Sequence, residues 1–589
     1  MALAAAAVTL LAAAGAPSVS AVAVPSSSTP AVIVSPFPGT PDANPGTQIS
    51  FLGVPASDLR DVLVKGSVSG SHLGRLLPYS THSGGSFVPR RPFDPGERVT
   101  VSATIVGYGA PRTIGTNFAV SSPYTLPSQA PATPAPATST NVMRFRSRHD
   151  LEPPAVAVTT VAADPTLGDI LISPVSGAGQ AGPMILAPDG NLVWFDPLAS
   201  GTSAFDLTVQ SYRGAPVLTW WQGQVVEGHG QGVDVIESSN YTRIATVRAG
   251  NGLRADLHDF EITPQGTAWI TAFAPEHWDL SSLGGLRDGL VDDGVVQEID
   301  IKTGLVMFEW HALGHVAIPD SYMRIPKLAP DVLDFFHVNS IDPLANGELL
   351  ISSRNTWATY LISETTGSVV WQLGGKHSSF NLGSGVSFAW QHDAELQPDG
   401  TISLFDNEAA PAEAAQSRAL DIALNASTGA ATLVRQFTYP GHGILSGSQG
   451  DVQELRNGDD LVGWGQAGEV SEFSPSGQLT FDMHFASSAG SYRAFRMPWS
   501  AQPLSRPALD AATPAHGMTE LYASWNGATA VAGWRVLAGS SPRRLAVAGT
   551  YAAQGFETAI NAPTVARYLC VQALSATGVP LRSSTVVKS

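Results

Sequence analysis

Histidine is scarce in this chain, 14 of 589 residues, so histidines at matching positions of repeated segments stand out. Six turn glycines follow similar apolar runs: Gly190, Gly214, Gly266, Gly347, Gly400 and Gly458. Eight residues before them stand Gly182, Asp206, His258, Asn339, His392 and Gly450. His337 lies two residues before Asn339, and alternate residues of a strand share a face. Arg354 belongs to the next segment, Leu350-Ile351-Ser352-Ser353-Arg354-Asn355-Thr356-Trp357. A histidine titrating near neutrality can act as nucleophile, acid or base. Arginine with amide and imidazole donors makes a fork suited to an oxyanion such as sulfate or phosphate. Three histidines could instead bind zinc. Against that, an arginine among the ligands would repel the ion. Asp259 and Asp393, which directly follow their histidines, also project away from them, whereas zinc-bound imidazoles usually have a carboxylate partner. The pattern favours oxyanion-group transfer and implies no metal or cofactor. Each histidine alone reads first as a hydrogen-bonding residue at a strand start.

Three further positions lie near the same ring by register: Ser448, Gln449 and His229, the last in Glu227-Gly228-His229-Gly230-Gln231-Gly232, where it also reads as a turn histidine. Trp220, Trp221, Trp371 and Trp390 could stack on an aromatic ligand, or fill the core between sheets.

The elements that must position these residues are strands. The 58 Gly and 43 Pro exclude a helical bundle, and 13 Trp with abundant Thr, Val and Ser favour an all-β, turn-rich chain. Only 14% of residues are charged and the net charge is −17, which disfavours nucleic acid as a partner. One cysteine, Cys570, excludes an intramolecular disulfide. Residues 1–23, almost all apolar up to residue 16 and then Val19-Ser20-Ala21, read as a secretory signal that lacks a basic start. No later stretch is long and apolar enough to span a bilayer, so an exported protein without a membrane span is expected.

Residues 24–32 read as linker, 33–122 as an Ig-like β-sandwich, and 123–144 as a Pro/Ala/Ser/Thr linker. Residues 145–505 repeat a strand–turn–strand theme that predicts a six-bladed β-propeller. Residues 506–589 predict a fibronectin type III-like sandwich with Trp525 and Tyr568 in its core and Cys570 buried.

The segments Phe336-His337-Val338-Asn339-Ser340-Ile341, Ile351-Ser352-Ser353-Arg354-Asn355-Thr356 and Trp390-Gln391-His392-Asp393-Ala394 resemble the signature strands of the arylsulfate sulfotransferases. Thr219-Trp220-Trp221-Gln222-Gly223, Arg248–His258 and Val369–Lys376 resemble the actinobacterial-type branch. The likeness covers about residues 145–505. It implies a six-bladed propeller that moves a sulfuryl group from a phenolic sulfate ester to a phenol, ping-pong, through a sulfated histidine and without a nucleotide donor. On that resemblance His392 is the nucleophile, His258 and His337 are acid/base and sulfate-binding groups, and Arg354 and Asn339 hold the transferring oxygens. The partners implied are a small aryl sulfate donor and a phenolic acceptor. Two other readings stay open on the residues themselves: a non-catalytic extracellular binding propeller, and a metal-dependent hydrolase or lyase built on the histidines.

Overall fold

The computed structural model describes residues 31–127, 136–513 and 515–589. The expected signal segment and most of the first linker lie outside them. The described chain is all-β, built of antiparallel sheets with a few single-turn 3₁₀ segments. Among the described residues no helix is long and apolar enough to cross a membrane.

Near the N-terminus two four-stranded sheets share one core. Arg98–Ile105 shows why: Val99, Val101, Ala103 and Ile105 point inward in strict alternation, as a half-buried strand requires. This unit rests on the central region. Tyr79 Oη donates to the Val306 carbonyl at 2.9 Å, and Ser80 Oγ donates to Asp300 at 2.7 Å. The chain leaving it, at the start of the expected second linker, lies along Thr267–Trp278, where the Tyr124 N–H donates to the Pro275 carbonyl at 2.7 Å.

The central region runs from Val156–Thr160 to Gly490–Met497. Its turn glycines adopt positive φ between 77° and 87°, a conformation that costs glycine little. Gly214, Gly347, Gly400 and Gly458 each join a strand at the edge of a sheet to its neighbour, and Gly266 joins Ala255–Ile262 to Thr267–Trp278 within a nine-stranded sheet. Gly190 joins Met184–Leu186 to Leu192–Phe195 at the outer end of its sheet, whose innermost strand is Gly490–Met497, paired with Asp169–Val175. Gly182 therefore has no place in the ring of equivalent positions. The residues there are Tyr492 and Arg493, supplied by a strand about 300 residues downstream. A second long-range pairing sets Val156–Thr160 against Leu479–Phe485, so both ends of the central region are sewn into shared sheets.

The C-terminal unit packs two sheets around Trp525, Trp534, Leu569 and Val571. Cys570 is buried, as expected. Tyr568 is only half-buried; Leu569, the next residue, takes the core position because the phase of Tyr568–Leu574 is one residue later than expected. Asn526 clips this unit to the first central sheet, accepting from the Phe195 N–H at 3.0 Å and donating to the Phe195 carbonyl at 2.9 Å. Trp220 and Trp221 are fully buried between sheets.

Arg493 ties the inner strands together. Its guanidinium, 3% exposed, pairs with Asp206 at 3.3 Å, Asp259 at 3.2 Å and Asp393 at 3.0 Å, and donates to the Asn339 carbonyl at 3.2 Å. These four partners come from four different inner strands. A buried guanidinium is tolerable only when paired in this way. Removing it leaves three buried carboxylates facing one another, so Arg493→Met is expected to destabilise the protein by about 3–5 kcal/mol. Chemical unfolding of the two proteins checks this, and a loss under about 1 kcal/mol would contradict the role assigned to Arg493.

Candidate active site

The functional side chains gather at or near strand ends. His229 opens His229–Ser238, His258 lies within Ala255–Ile262, His337 directly precedes Val338–Leu344, and His392 opens His392–Leu396. Arg354 follows Glu348–Ser353, and its N–H donates to the His337 carbonyl at 3.0 Å, so the two residues face each other across one hairpin. Ser448 and Gln449 immediately precede the last of these inner strands, Asp451–Glu454.

Local irregularity aims these side chains. The pairing register breaks between Phe205 and Thr208, Ala255 and Phe260, Val338 and Ser340, and His392 and Glu395. Such bulges re-aim side chains. Several non-glycine residues here also sit at positive φ: Asp206 (57°), His337 (56°), Trp390 (58°), Asp393 (58°) and Gln449 (70°). Strain of this kind persists only where the surroundings enforce it. One result is that His258 and Asp259, and likewise His392 and Asp393, serve two layers. The acids turn to Arg493 while the histidines join the site, as their adjacency in sequence predicts. Alternation does not carry through His337 and Asn339, because a bulge separates them. His337 joins the other histidines, whereas the Asn339 amide donates to the Gln391 carbonyl at 2.8 Å and its side-chain oxygen is buried without a hydrogen-bond partner.

Three histidines form one cluster. The His258–His337 and His229–His337 ring centroids are each 4.8 Å apart, and His229–His258 is 6.2 Å. His229 thus belongs with the others and is not an isolated turn residue. Each imidazole has a carboxylate partner that sequence reasoning missed. His258 Nδ1 meets Asp256 Oδ2 at 2.5 Å, and the same oxygen accepts from the His258 N–H and from Thr271. Asp334 pairs with both His337 Nδ1 and His229 Nε2, the latter at 3.3 Å, and Asp292 lies 3.4 Å from His229 Nε2. The absence of a carboxylate partner is therefore no argument against a metal here. The ligand atoms of His229, His258 and His337 all lie within 4.8 Å of one another. The signals that could have been read are Asp256 two residues before His258 and Asp334 three residues before His337.

Burial alone would pull His229 down, but Asp334 and Asp292 outweigh it and hold its imidazole up at about 9. Burial dominates at His337, and with the His229 and His258 charges it overcomes Asp334 and leaves the ring at about 4. Burial also lowers His392 well below its ordinary value, and the Arg354 charge adds to this. At neutral pH the site therefore holds a charged His229 beside neutral His337 and His392.

The tautomer of His392 follows from its partners. Asn407 uses its NH₂ group on the Ser446 and Gln449 carbonyls, at 3.2 and 2.9 Å, so its oxygen faces His392 and accepts from Nδ1–H at 2.7 Å. That leaves the lone pair on Nε2, toward which the Gln449 N–H points at 3.2 Å. The Ser448 carbonyl accepts from Ser446 Oγ at 3.0 Å, an internal loop contact. The Tyr492 ring lies 5.5 Å from His258 and 6.3 Å from His392. Arg354 stacks over Trp390 at 4.9 Å, Trp390 lies 5.1 Å from Trp357, and Trp357 stacks on Tyr322 at 3.5 Å. His337, Arg354, Ser448, Gln449, Trp357 and Tyr322 are partly exposed, so they mark the mouth. Trp371 stands apart, against Phe380.

Residues 208–486 match the arylsulfotransferase (ASST) family model. The match covers a little under half of the chain and supports the arylsulfotransferase family for that part, which contains His229, His258, His337, Arg354 and His392 but not Asp206, Tyr492 or Arg493. No curated protein matches the chain. Among solved structures it is similar to a Bacteroides caccae protein of unknown function (12% identity, 56% of this chain and 98% of that one, TM-score 0.35). It is also similar to a catalytically inactive virginiamycin B lyase from Staphylococcus aureus with quinupristin (11%, 63% and 96%, TM-score 0.29). A third is a quinonprotein alcohol dehydrogenase-like protein from Bacteroides thetaiotaomicron (10%, 79% and 99%, TM-score 0.27). None of these structural likenesses is close enough to bear on what this chain does.

Because the folded pKa of His229 lies above its free value of about 6.5, the stability from its charged contacts is complete below that pH. It is lost as pH rises through about 9. Asp334→Asn removes the main carboxylate that raises His229, so its pKa should fall by at least about one unit, a change of ~1.4 kcal/mol. Imidazole NMR titration reads this directly, and an unmoved His229 would contradict the assignment.

Proposed function

We propose that the chain is an exported arylsulfotransferase of the actinobacterial-type branch. In this reading the central sheets are the six blades of a propeller, flanked by an Ig-like and a fibronectin type III-like module. The propeller moves a sulfuryl group between phenols by a ping-pong route through a sulfohistidine. The observation that carries the mechanism is the state of His392: neutral, Nδ1–H fixed by Asn407, and Nε2 left with its lone pair.

In the first half-reaction His392 Nε2 attacks the sulfur of an aryl sulfate. The N–S bond forms, the S–O(aryl) bond breaks, and the electron pair leaves with the phenolate. His258 donates a proton to that oxygen, its ring held by Asp256. The transition state is loose, with charge on the peripheral oxygens, so positioned donors do most of the work. Arg354 and charged His229 supply them, joined by the Gln449 N–H once His392 Nε2 has given its lone pair to sulfur. In the second half-reaction the acceptor phenol oxygen attacks sulfur, the N–S bond breaks and its electron pair returns to His392 Nε2, and His337 Nε2 takes the phenolic proton, which passes through solvent to His258 and closes the cycle. The neutral state of His337 suits it to act as a base. The Trp390, Trp357 and Tyr322 rings beside Arg354 suit an aryl group.

A second reading is favoured by one observation, the convergence of His229, His258 and His337 on a volume that could hold a metal. A hydrolase of that kind would lose activity on chelation, whereas sulfuryl transfer by His392 would not.

With 4-nitrophenyl sulfate and phenol, the wild type should release nitrophenol. His392→Ala should abolish turnover, and Arg354→Ala should lower kcat/KM by about 10²–10³, the usual cost of one transition-state donor. The rate should also fall as pH rises through about 9, where His229 loses its charge. Unchanged turnover in His392→Ala would refute the nucleophile.

A further inference from the structure

A second cluster of ionisable groups lies away from the candidate active site, where the N-terminal sheets meet the central region. Asp42 comes from the loop between Ile33–Ser35 and Ile49–Leu52. Glu276, Asp293, Glu309 and His311 come from three adjacent strands of one central sheet, Thr267–Trp278, Gly289–Asp300 and Val306–His311. All five are at most 2% exposed. His311 Nδ1 lies 2.8 Å from Asp293 Oδ2 and 3.5 Å from Asp42 Oδ2, and its Nε2 lies 3.3 Å from Glu309 Oε1. Glu309 is anchored from behind by Asn251 at 2.8 Å and by Gln297.

Four carboxyl groups around a single imidazole need a compensating cation or protons, and without a cation a proton stays on Glu276, which burial and the Asp42 and Asp293 charges push up to about 10. Hydrogen bonds do not meet the deficit. Neither Asp42 oxygen has a hydrogen-bond partner, nor does Glu276 Oε1, although these atoms are buried. One ligand atom each from Asp42, Asp293 and His311 lie within 4.8 Å of one another. The second ring nitrogen of His311 meets a carboxylate that is itself held in place, the arrangement that orients metal-bound imidazoles.

We propose that Asp42, Asp293 and His311 bind a divalent cation that clamps the N-terminal sheets onto the central region, with Glu276, outside that triad, as the neighbouring carboxyl that closes on it. The cation replaces the proton on His311 Nδ1, and Nε2–H then donates to Glu309. An imidazole among carboxylates suits zinc or manganese better than calcium, which takes oxygen ligands. The site is back to back with the active-site cluster. Asp292 faces His229 and the next residue, Asp293, faces His311, because successive strand residues point to opposite faces. No residue is shared between the two.

The test uses the full chain loaded with Zn²⁺, Mn²⁺ or Ca²⁺, desalted, and measured by elemental analysis and thermal melting. One retained equivalent of zinc or manganese, a lower melting temperature after prolonged chelation and its recovery on adding that metal back are expected. Asp42→Asn should lose the equivalent and the chelation response, whereas His258→Ala should keep both. If Asp42→Asn fails to fold, Glu276→Gln is expected to weaken retention at least tenfold. Retention of neither zinc nor manganese, retention of calcium alone, or equal retention by the variants at Asp42 or Glu276 would overturn the site.

Discussion

The structure turns on one buried cation. Arg493 reaches the inner strands of several sheets at once and converts three carboxylates that would otherwise repel one another into a packed hub. It arrives on Gly490–Met497, a strand from the far end of the central region that lies against Asp169–Val175 near its start. The hub therefore also marks the closure of the central region. Tyr492, the preceding residue, lies beside His258 and His392, so closure and site assembly depend on the same strand.

The hub also explains the placement of the histidines. Asp259 and Asp393 are held by Arg493, and the residues before them, His258 and His392, are consequently fixed in the neighbouring layer. The histidines are then tuned by what surrounds them. Asp334 and Asp292 keep His229 charged, while burial and Arg354 keep His392 neutral. A charged donor beside a neutral nucleophile is what group transfer from an anionic ester requires, since a protonated imidazole has no lone pair to give.

Much of this was legible in the sequence because it is local. The Gly214, Gly266, Gly347, Gly400 and Gly458 turns, the all-β composition and the gathering of His258, His337, Arg354 and His392 follow from short-range patterns. What was hidden is long-range or irregular. Nothing near Gly182 indicates that Arg493 occupies the corresponding place, because that pairing joins distant parts of the chain. Bulges change which side chain shares a face, so the simple alternation applied to His337 and Asn339 fails. The carboxylates at Asp256 and Asp334 stood close by in sequence, yet only the bulged backbone turns them onto the imidazoles. Asn407, which sets the tautomer of His392, comes from just beyond the neighbouring strand Thr401–Asp406 and carries no motif of its own.

The most direct test of the account is the fate of His392 when the donor is supplied alone. After brief exposure to an aryl sulfate without acceptor and alkaline quenching to preserve a sulfamate-like N–S bond, peptide mass spectrometry should find one sulfuryl group on the peptide holding His392, removed when phenol is added. Donor turnover without any adduct on that peptide, or an adduct that phenol does not discharge, would contradict a covalent route through His392.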